Sequence, residues 1–575
     1  MSEAPRKTPW HETALAGTYG PVALAAALLV AHSLLFNFVT DDAFISFVYS
    51  RNFARSGELV FNPGEYVEGY TNFLWTLLLG ILYKLRLAPE VMSRLLATAA
   101  SLGTLYLMVR IAERVRGGRT PAHVLAPLLC AGWGGFACWT SGGLESAPFT
   151  FLCVLGVWRY LEEAELEEAA DAPGGQARRL MWRWSTFAFA AAALTRPEGL
   201  LVFGIVGLHR LAWLGVRWRL PRRDDWAWAG AFIIIVGGYI AWRWSYYGWP
   251  LPNTFYIKSS GGSNWARGLY YLRQFARQSR VLYAAPIVLA SLAIVATRHG
   301  QGARARFLTL VVPLLGAYLG YVARVGGDFM GLHRFIMPTF PLIALLLQDG
   351  ALCFFALLPA PAPAPLSTRV KLGAALPALA AVLAYWGVLM ARESRHAIRW
   401  VGADNGIDSP GFLRKYTRDR ATIGKWFFVH ARRDDYMSVG GAGAQPWYAD
   451  LRALDAFGLS DEFIAHKVRP HTNRPGHQKW APDDYVFRRR PSILCHVYQL
   501  TNHPSLDGGR LQYFAREGYY FITVRIPDLG EHYTFAVLLT ERGAPLLHGK
   551  ELEDRLAERL RLEGDDFVRA WDPPA

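Results

Sequence analysis

Two adjacent carboxylates, Asp41 and Asp42, follow directly on an apolar run at 21–39. Carboxylates at the edge of a hydrocarbon layer are costly unless protein, water, metal or substrate surrounds them. In such a place a carboxylate can take a proton from a hydroxyl and act as a general base. Asp is also a favoured helix N-cap, and Ala43–Arg55 reads as a helix with Phe44, Phe47 and Tyr49 in the membrane interface and Arg51 and Arg55 at the headgroups. Three cations, Arg196, Lys258 and Arg334, stand at the ends of other apolar runs. Arg suits phosphate because its planar fork donates two hydrogen bonds. Snorkelling to lipid headgroups is the simpler reading of any one of them. Arg196 is the least easily explained that way. Pro197 and Glu198 follow it between two short runs, which sinks Thr195–Gly199 below the surface and points to a polar cavity that a lipid phosphate would suit. Glu145 and Asp328 stand in Gly-rich turns and read either as turn residues or as acids, and His333 either as a phosphate contact or as a core residue. Asp41, Asp42, Glu145 and Asp328 are oxygen ligands of the kind a divalent cation takes, but no spacing defines such a site, so the metal stays open.

The elements that must position these residues are apolar helices. The 575 residues are 52% hydrophobic and 19% charged, with 14% aromatics and a formal charge of +15. That composition excludes a disordered chain and fits a membrane protein with a soluble part. Eleven candidate spans lie near 21–39, 92–112, 121–139, 147–161, 182–195, 199–216, 226–246, 281–297, 307–323, 335–357 and 373–391. Arg6 and Lys7 precede the first, and no small-residue cleavage site follows it, so it reads as a retained anchor with a cytoplasmic N-terminus. Residues 1–391 hold 34 Lys and Arg against 21 Asp and Glu, or +13; residues 392–575 hold 27 against 25, or +2. The excess falls in clusters at Arg114–Arg119, Arg178–Arg183, Arg217–Arg223, Arg298–Arg306 and Arg369–Lys371. All five are cytoplasmic if Phe73–Leu87 does not cross the bilayer. The charge is then an orientation signal and gives no support to a nucleic-acid partner. The polar motifs around Asp41, Glu145, Arg196, Asn253 and Asp328 share the outer side with the C-terminal part, while Glu162–Asp171 reads as an acidic, low-complexity inner loop and Pro359–Pro365 as a linker.

The expected architecture is therefore an α-helical polytopic membrane protein: a transmembrane domain over 1–391, with its first outer loop at about 40–91, and an extracytoplasmic mixed α/β domain over 392–575. In the latter, Tyr519–Ile526 and Tyr533–Leu539 read as strands and Lys550–Leu562 as a helix; Trp447-Tyr448 offers rings that could stack on a sugar. Cys495 stands alone there, so no internal disulfide is expected, and no Cys/His spacing suggests zinc. No Walker A or Rossmann fingerprint is present, so no nucleotide supplies the energy for transfer. A pre-activated, lipid-linked donor meets that requirement: its phosphate leaves against Arg and Lys while a carboxylate takes the acceptor's proton.

Asp41-Asp42-Ala43-Phe44-Ile45, Arg51-Asn52, Leu59–Glu65 and Val67–Trp75 resemble the start of the terminal β-(1→2)-arabinofuranosyltransferase family, within the GT-C superfamily of polyprenyl-phosphate-sugar-dependent glycosyltransferases. The likeness continues in Thr195–Gly199, Pro252–Tyr256 with Lys258, Gly326–Phe329 with Arg334, Asp455–Asp461, Ile464-Ala465 and Gly476-His477. The resemblance implies a GT-C-like fold of about eleven transmembrane helices with its active site at the outer face. It implies an acidic catalytic centre at Asp41 and Asp42 and donor-phosphate contacts from Arg196, Lys258, His333 and Arg334. Substrate contacts are expected from Arg51, Asn52, Glu68, Tyr70, Asn72, Glu145, Glu198, Asn253, Tyr256, Asp328, Asp455, Asp461 and His477. The implied partners are a polyprenyl-phosphate sugar (D-arabinofuranose first among them), a glycan or other hydroxyl acceptor and a bacterial inner membrane with the C-terminal domain in the periplasm; some relatives use a divalent cation. A lipid-linked glycan flippase would need polar mid-spans and often internal repeats, whereas here the mid-spans are apolar. A glycolipid-binding protein without catalysis is the third reading.

Overall fold

The computed structural model describes residues 20–118, 120–172, 183–258, 264–298, 302–357, 368–472, 478–497 and 507–574. Arg6, Lys7, Arg119, Arg178, Arg179, His477, Pro359–Pro365 and the side chains of Lys258, Arg369 and Lys371 lie outside the described residues. The chain divides into two compact units, each drawn from several stretches of the sequence. The first holds Met1–Phe38, Ser93–Tyr239 and Ser263–Gly411; the second holds Val39–Met92, Ile240–Gly262 and Phe412–Ala575. The first outer loop and residues 240–262 join the C-terminal part because their apolar residues are buried with it. Ile257, for example, lies in one core with Leu454, Ile464 and Phe521.

Among its described residues the first unit is helical apart from a two-stranded ribbon, Ala403–Asp404 with Ile407–Asp408. Pro89–Arg116, Glu198–Val216, Arg223–Tyr247 and Ala303–Val325 are long and apolar enough to cross a bilayer, and among the described residues up to six spans result if each of two bent helix pairs is one span. The chain is a multi-pass membrane protein, but the eleven expected spans are not eleven continuous helices. The stretch 121–139 breaks at Trp133, extended between Gly132 and the Gly134-Gly135 pair. The stretch 182–195 is the 11-residue helix Ser185–Thr195, which ends where Arg196 turns extended ahead of Pro197. Within the expected span 147–161 the helix runs on without interruption, as Ser146–Asp171.

That continuation changes the reading of Glu162–Asp171, which is an ordered helical comb of carboxylates set against the basic clusters. Glu167 accepts from Arg183 (2.9 Å) and Arg210 (2.8 Å). Glu168 pairs with Arg217 and Arg306, Asp171 with Arg219 and Arg222, and Glu162 with Arg114.

The second unit is built on a six-stranded sheet: β1 (Tyr436–Val439), β2 (Arg452–Asp455), β3 (Ile493–Leu494), β4 (Tyr519–Ile526), β5 (Glu531–Leu538) and β6 (Phe567–Trp571), in the order β2-β1-β3-β5-β4-β6. β1 pairs in parallel with β2 and β3; the other pairs are antiparallel. Tyr519–Val524 are all buried, as expected of a strand covered on both faces. The helix Gly549–Leu560 follows, burying Leu552, Leu556 and Leu560 at helical spacing. In the same unit the helix Phe73–Lys84 has 12 residues. At about 1.5 Å per residue it falls well short of the roughly 30 Å hydrocarbon core.

Candidate active site

Asp41 and Asp42 open the helix Asp41–Ser56, whose N-cap is Thr40 without a side-chain bond. The two carboxylates thus stand in the first turn, favoured by the helix dipole, and do not cap their own helix. Asp41 caps another one: its Oδ1 accepts from the backbone N–H of Ala444 at 2.8 Å, at the start of the helix Ala444–Ala449. The approach is close enough to require glycine. A Cβ on Gly443 would lie 2.0 Å from the Asp41 carbonyl oxygen, and one on Gly441 would lie 3.4 Å from Asp41 Oδ2. Asp41 is 8% exposed, and burial pushes its carboxyl up to about 6, Asp42 adding to the rise while the Ala444 N–H and Arg420 oppose it. Asp42 is partly exposed.

The rest of that helix is not laid in a membrane interface. Phe44, Phe47 and Tyr49 are buried, the first two against Trp447, and Phe44 also against Tyr448. Trp447 is 9% exposed and holds the guanidinium of Arg51 over its ring, so it offers little face to a sugar. Arg51 donates to the Trp447 carbonyl and pairs with Asp450 at 2.9 Å, and Arg55 binds Asp450 with both terminal nitrogens. These two arginines thus have carboxylate partners and not headgroups.

Most other residues of the first-loop motif fasten it in place. Asn52 donates to the carbonyls of Val60 and Phe61. Asn62 exchanges two hydrogen bonds with Ala453, covering the edge of β2. Tyr70 meets the Tyr247 hydroxyl at 2.9 Å, and Asn72 binds Ser46 and Thr76. Glu68 is 3% exposed with Arg243 at 3.6 Å. It lines a small open cleft with Tyr66, Tyr247, Trp249, Asn253 and Glu462. Asn253 donates to the carbonyls of Gly458 and Leu459, while Tyr256 packs on His466. Asp455 accepts from the N–H groups of Phe457 and Ser460, forming the turn after β2. Asp461 caps the helix Glu462–Lys467 and accepts from the Tyr485 hydroxyl.

A second cluster forms within the first unit. Arg196 is clamped by Glu145 (2.6 Å) and Glu198 (2.7 Å) and faces the rings of Phe149 and Phe335. Arg334 binds Asp328 with two nitrogens, at 2.7 and 3.2 Å, and faces Trp139 and the same Phe335. Glu145 and Asp328 are therefore partners of the two arginines and not isolated turn residues. Three carboxylates against two guanidiniums leave no net positive charge there. His333 is 4% exposed and packs on Tyr271 and Phe275; burial pushes it down to about 3, so its imidazole is neutral. It and Leu332 both hold φ of +55°, an uncommon strain for two consecutive non-glycine residues. Among the described residues no group of three or more His, Cys, Asp or Glu is placed to hold a metal ion.

Sequence reading missed the glycine loop Gly440–Ala444 with Tyr416 and Arg420. The signal for the loop is present as Gly440-Gly441-Ala442-Gly443 directly after a strand.

Residues 412–540 match a family described as a domain of unknown function (DUF8728). The chain is 28% identical over 348 residues to a terminal beta-(1->2)-arabinofuranosyltransferase of Mycobacterium tuberculosis, covering 54% of this chain and 53% of that protein. It is 26% identical over 338 residues to a protein of the same description from Corynebacterium glutamicum, covering 53% and 47%. The chain thus spans about half the length of the curated relatives it matches. Its fold is similar to that of ArnT from Cupriavidus metallidurans, with a TM-score of 0.56 for the apo structure at 14% identity, covering 90% of this chain and 97% of that one. Against the structure of the same protein bound to undecaprenyl phosphate the TM-score is 0.52, also at 14% identity, covering 92% and 99%. The expected polytopic helical architecture with a mixed α/β part holds.

Proposed function

We propose that the chain is a membrane glycosyltransferase that moves a sugar, D-arabinofuranose, from a polyprenyl-phosphate donor to a hydroxyl of a glycan at the outer face of a bacterial inner membrane. The observation that carries this reading is the adjacent pair Asp41-Asp42 at a helix start, with Asp41 held by the Ala444 N–H. In the reaction a bond forms between the acceptor oxygen and the anomeric carbon. The bond from that carbon to the phosphate oxygen breaks, and its electron pair stays on the phosphate. The acceptor's proton passes to a carboxylate. Asp42 is assigned that role because it is the more exposed of the pair, and Asp41 the role of holding it. Arg196, Arg334 and Lys258 are assigned to the donor phosphate. For the first two, the support is that both guanidiniums face one ring, Phe335. To bind phosphate they must share their donors with Glu145, Glu198 and Asp328. The acceptor is assigned to the cleft beside Glu68, where Tyr66 and Trp249 are exposed enough to meet a sugar.

The test is incubation of purified protein with polyprenyl-phosphoryl pentoses and hexoses and hydroxyl acceptors, following product by mass spectrometry. Asp42→Asn is expected to lower transfer by at least about a hundredfold, the usual scale of a lost general base. Asp41→Asn is expected to lower it less. If both variants transfer at the wild-type rate, the acidic centre is elsewhere. If the wild type moves glycolipid across vesicles without transfer, the flippase reading replaces this one.

A further inference from the structure

The helix Pro410–His430 carries Arg420, a residue 1% exposed and among the largest fully buried side chains of the molecule. A fully buried arginine is rare unless paired. Its Nη1 donates to Gln445 Oε1 at 3.2 Å, and its guanidinium lies 5.0 Å over the ring of Tyr416. Among the described residues its Nε and Nη2 have no well-formed hydrogen bond. Both of its neighbours lead to Asp41. Gln445 follows Ala444, whose N–H holds Asp41 Oδ1. The hydroxyl of Tyr416 lies where a Cβ on Gly441 would meet it at 2.4 Å, and that same Cβ would be 3.4 Å from Asp41 Oδ2. The groups that face Asp41 are Asp42 on its own helix, Tyr416 and Arg420 on the Pro410–His430 helix, and main-chain N–H donors of the Gly440–Ala444 loop.

At Asp41, burial and the neighbouring Asp42 carboxylate both oppose the charged form, which a nearby cation favours. We infer that Arg420 is a counter-charge to Asp41: a positioning residue, supplied by the part of the chain that matches a domain of unknown function, which keeps Asp41 ionised beside Asp42. It touches neither substrate nor reacting atoms. Charge on Arg420 lowers the pH at which Asp41 takes up a proton; burial of Asp41 raises it. Removing the guanidinium takes away one lowering influence and leaves burial and Asp42 to raise it, so the sign of the effect is fixed.

The inference rests on the glycosyltransferase reading only for its catalytic meaning, and its test does not need a known substrate. In the full-length protein, the infrared band of the protonated Asp41 carboxyl is followed against pH and assigned by its loss in Asp41→Asn. In Arg420→Met the band is expected to persist to a pH higher by roughly one unit or more. Arg420→Lys, which keeps a cation, should return it toward the wild-type midpoint. Arg420→Gln serves where Arg420→Met does not accumulate as folded protein. Where transfer is measurable, the acid limb of its pH profile, which reports Asp42 in this reading, should also move to higher pH in Arg420→Met, each unit making the rate on that limb about tenfold lower. A band midpoint that stays put in folded Arg420→Met or Arg420→Gln overturns the inference. Absence of glycosyl transfer by the wild type overturns the reading of function and leaves the infrared result standing.

Discussion

At Asp41 burial and ionisation oppose each other, and this makes its stability pH-dependent in a predictable direction. The ordinary Asp value of 3.8 is pushed up to about 6 in the folded chain, chiefly by burial. Between those two values the folded state holds the proton more tightly than the unfolded state does. The extra stability is therefore present below the unfolded value and is lost as pH rises through about 6. The loss is on the order of 2–3 kcal/mol. An amide at 41 can still accept from the Ala444 N–H and does not titrate. The melting temperature of Asp41→Asn relative to wild type should accordingly rise between pH 4.5 and pH 8. A gap that stays constant across that range would mean that burial does not govern this carboxyl. The identity of the pair was legible in the sequence because two acids beside an apolar run are conspicuous. Its partners were not, because Arg420 and Gly443 stand about four hundred residues downstream and no local pattern links them. Arg196 and Arg334 were legible as cations at the ends of runs. That each is already held by carboxylates depends on which turns meet, and sequence spacing does not carry that.

Elements show the same division between what is local and what is not. The strand Tyr519–Ile526 and the helix near 550–562 were readable from alternation and from helical spacing, both short-range signals. The first outer loop was readable as a motif, but its residues spend most of their polar groups on docking: Asn52, Asn62, Tyr70 and Asn72 all bind protein. The comb at Glu162–Asp171 was the clearest misreading, since acidic composition alone resembles a solvated loop. In the folded chain, Glu167 and Asp225 alternate with Arg183 and Arg210 in a closed ring of two acids and two bases, every side chain at most 7% exposed. Removing one acid from such a ring leaves a buried cation without compensation, which costs about 3–5 kcal/mol. Glu167→Gln should therefore melt well below wild type in detergent. Glu551→Gln, which breaks an exposed pair with Arg555, should melt with the wild type. Equal melting of the two variants would show that the ring adds nothing to the stability of the helix ends it joins.

On the scale of the whole molecule, the surplus of positive charge becomes an argument about orientation once the ion pairs are known. Of the basic clusters, Arg114, Arg183, Arg217, Arg219, Arg222 and Arg306 are matched by carboxylates from Glu162–Asp171 or by Asp225, and Arg116 and Arg304 by Asp349. Pairing neutralises these residues without removing the asymmetry, because residues 1–391 still carry thirteen more bases than acids, whereas residues 392–575 are nearly balanced. The rule that orients membrane proteins counts Lys and Arg in short loops and gives Asp and Glu little weight, so the pairing in the folded state does not cancel the signal. Among the described residues four helices pass as crossings by length and composition alone. Others of the expected stretches are short or broken, as at Ser185–Thr195 and at Trp133, so each inferred crossing has to be tested as such. Phe73–Lys84 is decisive for parity: as a crossing it would invert every later loop, and its 12 residues are too few for that. If it does not cross, the basic clusters stay inside and the unit holding Asp41, Arg420 and the six-stranded sheet faces out. A phosphatase that is active only outside the cytoplasm, fused after Ala575, should then be active, and a fluorescent protein that matures only in the cytoplasm should stay dark there. A single cysteine replacing Leu87 should react with a membrane-impermeant thiol reagent added from the outer side. A dark phosphatase and a bright fluorescent fusion would place the carboxylate pair on the same side as nucleotide sugars, which would remove the physical reason for a lipid-linked donor.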